Sequence, residues 1–283
     1  MKTTTLITGA AGFIGSALTK RLELNSGAHV IKVSRRLGID LNSPDWQERL
    51  PSAQIDTVVH LAQSTQYRDF PAGAADMVAV NISATLSLLE WARKNGVKRF
   101  IFASTGNVYK PSEQPWFEES PLEPTGFYGA SKLAAEYLVK QYEKYFEVVI
   151  VRLFGVYGPG QTKMLIPNLV EKIKHEEAIQ LVGGEGLVIN PIHINDVAFF
   201  LERLIDCPLN EKITVLNVGG TERLNISVIT KKLETALSFS AKFEEIEGKP
   251  TFFVGNITKL THLFPGHIFV NSDCGLAGVC RDE

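Results

Sequence analysis

The chain has 283 residues, of which 45% are hydrophobic and 21% charged, as in an ordinary globular protein of one large domain or two joined ones. The 29 basic and 31 acidic residues leave a net charge of −2, which excludes charge-driven binding to nucleic acid or to an anionic membrane. The three cysteines, Cys207, Cys274 and Cys280, form no C-x-x-C pair, so we expect a reducing cytoplasm, no disulfide framework and no metal site.

The first half of the chain alternates short apolar runs with helical patterns. The helical spacing is clearest at Val80, Ala84, Leu88 and Ala92, and Ser43-Pro44 has the form of a helix start. Buried strands are predicted at Thr3–Thr8, Ala28–Ser34, Asp56–Ala62, Arg99–Ser104 and Val148–Leu153. This alternation predicts an α/β fold with a doubly wound parallel sheet, the Rossmann fold, whose ligands bind beyond the carboxyl ends of the strands.

The second half has shorter elements punctuated by prolines from Pro159 onward. We therefore predict a dinucleotide-binding domain over residues 1–158 and a smaller, mainly substrate-binding part over residues 159–283 that interleaves with it.

Three glycines follow the first predicted strand in the pattern Gly9-x-x-Gly12-x-x-Gly15. Glycine lets the main chain approach a pyrophosphate closely, and the N–H groups at the start of the next helix stabilise its charge. The run from Thr3 to Thr19 is uncharged like a secretory signal, but glycines at this density favour a turn, and no apolar run is long enough to span a membrane. The pattern predicts a dinucleotide site.

The end of the second predicted strand bears on which dinucleotide is bound. NAD sites usually place an acidic residue there, whereas NADP sites place arginine beside the 2′-phosphate. Here the strand ends in Ser34, Arg35 and Arg36, and the first acid is Asp40. Because guanidinium groups bind phosphate in a bidentate manner, the sequence favours NADP, with NAD as the other possibility.

Tyr128 and Lys132 lie four residues apart at the start of a helix that we predict to run to about Tyr145. Residues with this spacing share one helix face. A nearby cation lowers the pKa of a phenol from its ordinary value near 10. Tyr128 could then exchange a proton with an alcohol while hydride moves to or from a nicotinamide.

With these features the sequence resembles the extended short-chain dehydrogenase/reductase family, in its NAD-dependent epimerase/dehydratase group, over nearly the whole chain. Besides the glycine turn and the Tyr128–Lys132 pair, the resemblance includes Asp40-Leu41, His60-Leu61-Ala62, Asn81, Ser104-Thr105, Arg152-Leu153-Phe154, Gly158-Pro159, His193-Ile194-Asn195-Asp196 and Asn217-Val218-Gly219-Gly220.

The resemblance implies a role for each matching residue. Phe13 and Ile14 would cover the pyrophosphate, and Asp40 and Leu41 would border the adenine. The remaining cofactor-lining positions would be Leu61, Ala62, Gln63, Ser64, Asn81 and Phe154, together with Ser34 to Arg36.

The resemblance also implies the catalytic set. Tyr128 would be the acid/base, Lys132 its partner on the nicotinamide ribose, and Thr105 the hydroxyl that polarises the substrate oxygen. Ser64 and Asn107 would join Thr105 and Tyr128 in touching the substrate.

Departures from the family pattern narrow the chemistry. Dehydratases of the family carry a carboxylate just after the catalytic hydroxyl, where this chain has Gly106 and Asn107, so dehydration is disfavoured. Nucleotide-sugar epimerases usually have Asn at the position of Gly155 and an Arg-Asp pair at Ile189–Asn190, both of which help to hold a diphosphate.

The sequence therefore predicts an NAD(P)-dependent epimerase or ketoreductase that transfers hydride at a secondary alcohol or ketone, with a nucleotide sugar as the expected substrate. Two alternatives remain open, an NADPH-dependent reductase of a non-nucleotide carbonyl compound and a non-catalytic NADP-sensing protein. A homodimer is expected, because helices beside the active site pair in this family and Leu86, Leu89, Leu133 and Leu138 permit such pairing.

Overall fold

The computed structural model describes residues 3–25 and 29–281. Its strands are β1 (Thr4–Thr8), β2 (His29–Val33), β3 (Thr57–His60), β4 (Arg99–Thr105), β5 (Glu147–Leu153), β6 (Val156–Tyr157), β7 (Ala178–Val182), β8 (Val188–Ile189), β9 (Ile192–His193), β10 (Ile213–Val218), β11 (Leu224–Asn225), β12 (Lys242–Ile246) and β13 (Phe252–Phe253). Its helices are α1 (Phe13–Asn25), α2 (Ala74–Val78), α3 (Ala84–Lys94), α4 (Phe127–Lys140), α5 (Leu165–Lys174), α6 (Ile194–Leu204), α7 (Ile226–Leu237), α8 (Thr258–Leu263) and α9 (Ser272–Arg281). Within these ranges no helix is both long enough and apolar enough to cross a bilayer.

The chain divides into two compact units. The first comprises the residues up to Lys110, Ser120–Arg152 and Ala198–Leu216, and the second comprises Pro111–Glu119, Leu153–Val197 and the chain from Asn217 onward. The predicted division into domains at residue 158 stays a prediction.

The first unit is built on a six-stranded sheet in the order β10-β5-β4-β3-β1-β2. Strand β1 pairs in parallel with both β2 and β3, and β3 pairs in parallel with β4. Since β2 and β3 lie on opposite sides of β1, the chain reverses its direction of winding at β1, and the carboxyl ends of β1 and β3 open side by side. The predicted α/β Rossmann architecture is confirmed.

Apolar strands explain why this sheet lies at the centre of the unit. Every residue of β3 and β4 is buried, and Leu6, Val58, Phe100 and Ile150 belong to one continuous core cluster. Buried polar residues stand at the carboxyl ends of both strands, where His60 and Thr105 are placed. The core therefore fixes the strands and leaves their ends for binding.

Two details differ from the sequence-based expectations. Ser43 does not cap an α-helix, because its hydroxyl bonds to the Asp45 side chain and only a short 3-10 helix follows at Trp46–Arg49. Helix α4 ends at Lys140, and turns carry the chain from there to Tyr145. Of the second predicted strand, Ala28 lies outside the described residues.

A π-helical turn over Ala79–Ser83 joins α2 to α3. Hydrophobic periodicity predicts a regular helix here, because the spacing of apolar residues does not reveal one inserted residue. Such turns are rare and are frequent at functional sites.

The second unit contains three small sheets. Strands β11, β8 and β13 form one, β12 pairs in parallel with β7, and β6 pairs in parallel with β9. Its core is a separate cluster formed by the apolar faces of α5, α7 and α9, with Ile173, Ile229, Leu233 and Leu276 fully buried.

Candidate active site

The glycine turn after β1 is closed so tightly that side chains would not fit. Gly9 has a φ of +68°, and a Cβ on it would lie 2.8 Å from the Ala62 nitrogen after β3. A Cβ on Gly15 would lie 2.2 Å from the Gly9 oxygen. Helix α1 begins directly after Gly12, so its first N–H groups point toward the turn. This cradle fits a pyrophosphate, as the sequence pattern predicts.

The end of β2 carries the residues expected near the adenosine. The hydroxyl of Ser34 is buried without a hydrogen-bond partner among the residues that the structure describes. Arg35 is exposed and its Nη2 lies 3.4 Å from the Thr65 Oγ1, and Arg36 is exposed as well. An unpaired buried hydroxyl between a strand end and two guanidinium groups fits an acceptor-rich ligand such as a ribose or its phosphate.

Asp40 and Leu41 follow in the same loop. Asp40 accepts a hydrogen bond from the Asn42 N–H at 3.0 Å, whereas Leu41 is 8% exposed and packs in the core of the first unit. Phe13, Ile14, Leu61 and Ala62 are partly buried. The structure thus brings most of the predicted cofactor-lining positions to the carboxyl ends of β1, β2 and β3.

Tyr128 lies in the first turn of α4 with its hydroxyl aimed at the end of β3. The hydroxyl donates a hydrogen bond to the Oε1 of Gln63 at 2.8 Å, and the ring of Tyr67 lies 5.2 Å from the Tyr128 ring. Burial raises the pKa of the phenol well above 10, and Tyr67 raises it further, while a hydrogen bond with the Thr105 side chain lowers it. In this state Tyr128 is a neutral phenol.

Lys132 lies one turn after Tyr128 and is 2% exposed. Its Nζ lies 4.2 Å from the centre of the Phe102 ring, a cation–π contact that partly replaces lost solvation. Burial lowers the pKa of Lys132 to about 7, and the carboxylate of Glu136 opposes that decrease. The charge of Lys132 is therefore sensitive to added charge near neutral pH.

Thr105 ends β4 and stands opposite the Tyr128 hydroxyl. Its Oγ1 accepts hydrogen bonds from the N–H and the side-chain amide of Asn107, at 3.2 and 3.1 Å. Helix α4 approaches this turn closely, since a Cβ on Gly129 would lie 2.3 Å from the Asn107 oxygen. The predicted catalytic residues Tyr128, Lys132 and Thr105 are thus brought together in one unit.

Asn81 lies within the π-helical turn and is 1% exposed. Its Oδ1 accepts from the N–H of Ser64 at 2.9 Å, and its Nδ2 donates to the Ser131 hydroxyl at 2.9 Å. The Ser131 hydroxyl in turn donates to the main-chain oxygen of Tyr128 at 2.8 Å. Asn81 therefore links the loop after β3 to the helix of Tyr128.

Two residues of the family motifs, His60 and Phe154, are fully buried. His60 is fully buried between Thr8 and Thr85, 2.6 and 2.9 Å from their hydroxyls, and burial lowers its pKa to about 3. Phe154 is fully buried in the second unit against Trp116 and Phe253. The predicted place of Phe154 beside a nicotinamide stays a prediction.

Sequence reasoning missed a buried network that joins helix α4 to β4 and β5. Glu136 accepts from the Ser104 hydroxyl at 2.5 Å and pairs with Arg152, whose Nη1 donates to the Tyr109 hydroxyl at 2.7 Å. The available signal was the position of Glu136 four residues after Lys132, on the same helix face. No sequence signal indicated that the side chain of Gln63 contacts Tyr128.

The chain is similar in sequence to a known family of proteins. The family model described as NAD dependent epimerase/dehydratase matches residues 5–219, which is more than half of the chain. An uncharacterised UDP-glucose epimerase of Bacillus subtilis is 29% identical over 91% of this chain and 90% of its own. A UDP-glucuronate 4-epimerase of Thermodesulfobacterium geofontis is 30% identical over 84% of this chain and 82% of its own.

The fold is also similar to that of a solved epimerase structure. A mutant of the UDP-glucuronic acid 4-epimerase of Bacillus cereus, crystallised with a fluorinated UDP-glucuronic acid and NAD, is 26% identical to this chain. The two superpose with a TM-score of 0.87 over 99% of this chain and 98% of that one.

Proposed function

The chain belongs to the NAD-dependent epimerase/dehydratase family, and on that premise we propose that it inverts a hydroxyl-bearing carbon of a UDP-sugar. The observation that carries this proposal is the grouping of Tyr128, Thr105 and Lys132 with Gly106 and Asn107 beside them. Elimination of water needs a further acid or base, and neither Gly106 nor Asn107 supplies a carboxyl group. Oxidation and re-reduction of one carbon need only a hydride carrier and one proton-transfer group.

A bound dinucleotide would supply the hydride acceptor and donor. The turn of Gly9, Gly12 and Gly15 would hold its pyrophosphate, and the residues at the ends of β2 and β3 would hold its adenosine and ribose groups. This assignment agrees with the close backbone packing of the turn and with the unpaired Ser34 hydroxyl.

Tyr128 would take the proton of the sugar hydroxyl as the C–O bond becomes a carbonyl, and would return it when the hydroxyl forms again. Thr105 would hold the sugar oxygen by a hydrogen bond throughout. Lys132 would supply positive charge, because the buried phenol ionises only when cations lie nearby. Inversion follows when the ketone turns its other face before the hydride returns.

We propose NAD as the working cofactor, since the similar epimerase structure contains NAD and no net reduction occurs in an epimerisation. The preference for NADP that Arg35 and Arg36 predict stays a prediction. The NADP prediction is supported by the sequence between Val33 and Asp40, which contains no acidic residue. In NAD sites an acidic residue at this place accepts hydrogen bonds from the ribose hydroxyls.

The UDP-sugar class is supported by the relatives named above, whereas the side chains that would bind the diphosphate differ from the family pattern. The amide of Asn190 bonds to the main chain of Gly220 and Gly255 within the second unit and is occupied there. Other groups must therefore bind the diphosphate.

We also propose a homodimer and a cytoplasmic location. Of the four leucines expected at a dimer interface, Leu86 is 43% exposed, Leu89 and Leu133 are buried in their own unit, and Leu138 is partly buried against its core. A face centred on Leu86 and the half-exposed Tyr137 is thus the remaining candidate, and light scattering on the purified chain tests it. The cytoplasmic location is supported by three free cysteines.

The experiment that tests the function incubates the protein with NAD and UDP-glucose or UDP-glucuronic acid in D₂O. We expect interconversion of 4-epimers by NMR without deuterium at the inverted carbon, because the hydride that leaves is the one that returns. Tyr128→Phe should slow conversion by about 10²- to 10⁴-fold, and Tyr145→Phe, at an exposed position after α4, should not. Deuterium at that carbon, or full activity of Tyr128→Phe, would contradict the mechanism.

A further inference from the structure

The Tyr128 hydroxyl and the Gln63 side chain form a contact that depends on the protonation of the phenol. The hydroxyl donates to the Gln63 Oε1 at 2.8 Å. A side-chain amide oxygen is only an acceptor, so this bond exists while Tyr128 carries its proton and is lost when the proton leaves. A neutral acceptor in this position therefore favours the phenol over the phenolate.

Hydrogen bonds fix the distance between the loop after β3, which carries Gln63, and the start of α4, which carries Tyr128. Ser64, which follows Gln63, donates its N–H to Asn81, and Asn81 donates to Ser131. Ser131 is hydrogen bonded to the main-chain oxygen of Tyr128. Because Ser64, Asn81 and Ser131 are all less than 5% exposed, this chain of bonds is shielded from water and holds Gln63 opposite Tyr128.

The other groups that face the phenol come from three elements. Tyr67, from the loop after β3, approaches ring to ring, and Thr105 at the end of β4 hydrogen bonds with the phenol. Lys132 lies one turn further along α4 and is itself opposed by Glu136. Among these groups Gln63 accepts the phenol's proton in a hydrogen bond, whereas Thr105 favours the ionised form.

Two further charged side chains contact the neighbours of the Tyr128–Gln63 pair. The Arg68 guanidinium lies 5.2 Å from the Tyr67 ring centre, and the carboxylate of Asp76 accepts from the Ser64 hydroxyl. Arg68 is thus connected to the Tyr128–Gln63 contact through the Tyr67 ring, and Asp76 is connected to it through Ser64.

We infer that Gln63 is a positioning residue that holds Tyr128 as a neutral, hydrogen-donating phenol and so sets the pH at which the enzyme oxidises its substrate. This inference rests on the proposed role of Tyr128 in proton transfer. Gln63 delays ionisation until a substrate hydroxyl and a bound cation replace its contact. The matching motif position implies a cofactor contact for Gln63, and control of the Tyr128 proton is a separate role.

The test measures the ionisation of Tyr128 directly and does not depend on turnover. The chain has 7 tyrosines, so protein labelled with ¹³C at the tyrosine Cζ gives few signals, and Tyr128→Phe identifies the signal of Tyr128. The titration is run from pH 6 to pH 10 with saturating NAD⁺. The pH profile of kcat/KM for UDP-glucose or UDP-glucuronic acid is recorded on the same samples.

Two substitutions at Gln63 have opposite expected effects. Gln63→Ala removes the acceptor, so the midpoint of Tyr128 ionisation should fall by about 0.5 to 1 pH unit, with the same shift in the acidic limb of kcat/KM. Gln63→Glu keeps an acceptor and adds negative charge, so the midpoint should rise. Gln66→Ala, three residues on in the same loop, should leave it in place.

Opposite shifts at Gln63 are a result that a purely structural role would not produce. Midpoints that stay within 0.2 pH unit of wild type (about the precision of such a titration), or that move in the same direction in both variants, would overturn the inference about Gln63. If Tyr128 stays a phenol to pH 10 in the wild type with NAD⁺ bound, the proposed proton transfer itself fails, and the two failures are thereby distinguished.

Discussion

Glu136 and Arg152 form a bidentate ion pair that is shielded from water on every side. Arg152 donates from Nε to Oε1 at 3.0 Å and from Nη2 to Oε2 at 2.8 Å. The side chain of Arg152 is 1% exposed and that of Glu136 is 0% exposed. The pair joins helix α4, which carries Tyr128 and Lys132, to the end of β5. Since Ser104 also donates to Glu136, the residue before Thr105 is held by the same carboxylate.

Loss of this carboxylate should destabilise the protein strongly. Glu136→Gln leaves the Arg152 charge buried without its counter-charge, and we expect the free energy of unfolding to fall by about 3–5 kcal/mol in urea denaturation. Glu90→Gln is the matched control, because Glu90 pairs with Arg93 on the exposed surface of α3. Equal losses in the two variants would show that burial of the pair is unimportant.

The closeness of α4 to the Thr105 turn makes Gly129 a sensitive position. In Gly129→Ala the new Cβ would overlap the Asn107 oxygen, so the helix must move and carry Tyr128 away from Thr105. A displacement of about 1 Å can reduce turnover about 100-fold, and we expect a loss of this order in kcat.

Gly126→Ala is the control for that substitution. Gly126 precedes α4, and a Cβ there meets no atom within 4 Å. Its kcat should stay close to wild type. A Gly129→Ala enzyme as active as the Gly126→Ala enzyme would mean that the spacing of Tyr128 and Thr105 tolerates the shift.

The two arginines after β2 should strengthen the binding of NADP and have little effect on the binding of NAD. In the double variant Arg35→Ala/Arg36→Ala we expect the Kd for NADP to increase about 10- to 100-fold, because charge-assisted bonds to the 2′-phosphate are lost. The Kd for NAD should change less than about twofold. Fluorescence titration with NADH and NADPH measures both, and equal weakening for the two cofactors would remove the proposed phosphate contact.

Acid should destabilise the fold through His60. The folded protein keeps this imidazole neutral to about pH 3, whereas the unfolded chain binds a proton near pH 6.5. Between these values the unfolded state binds more protons, so stability falls as the pH decreases, by about 1.4 kcal/mol per pH unit from this residue.

Urea denaturation at pH 6.5 and pH 5 measures that dependence. Between these two pH values the free energy of unfolding should change by about 2 kcal/mol less in His60→Asn than in wild type, although the variant is less stable overall. His175→Asn, at an exposed position, should keep the wild-type slope. A His60→Asn slope equal to wild type would assign the acid sensitivity to other groups.

The sheet, the glycine turn and the shared helix face of Tyr128 and Lys132 were predictable because they follow from local sequence. The β-branched runs around Ile7 and Val59 favour buried strands, and the glycines at 9, 12 and 15 permit a close turn that other residues would block. The spacing of Tyr128 and Lys132 places both on one helix face wherever the helix packs. These features need no knowledge of distant parts of the chain.

The remaining features depend on particular side-chain contacts, two of which join residues far apart in sequence. The Gln63–Tyr128 bond spans 65 positions, and Arg152 reaches Glu136 only after β5 is seated in the sheet. Ser43 was predicted to cap a helix because its residue type and the following proline suit a helix start, but Asp45 competes for its hydroxyl. Patterns of residue type do not reveal such competition.

The π-helical turn at Ala79–Ser83 affects the whole stretch from Ala74 to Lys94. One extra residue in a helical turn rotates everything after it by about 100° relative to a regular α-helix. The apolar face of α3 is therefore rotated relative to the apolar face of α2. Asn81 is buried in the turn between the two helices. A one-residue deletion there would turn the buried side of α3 about 100° away from the core.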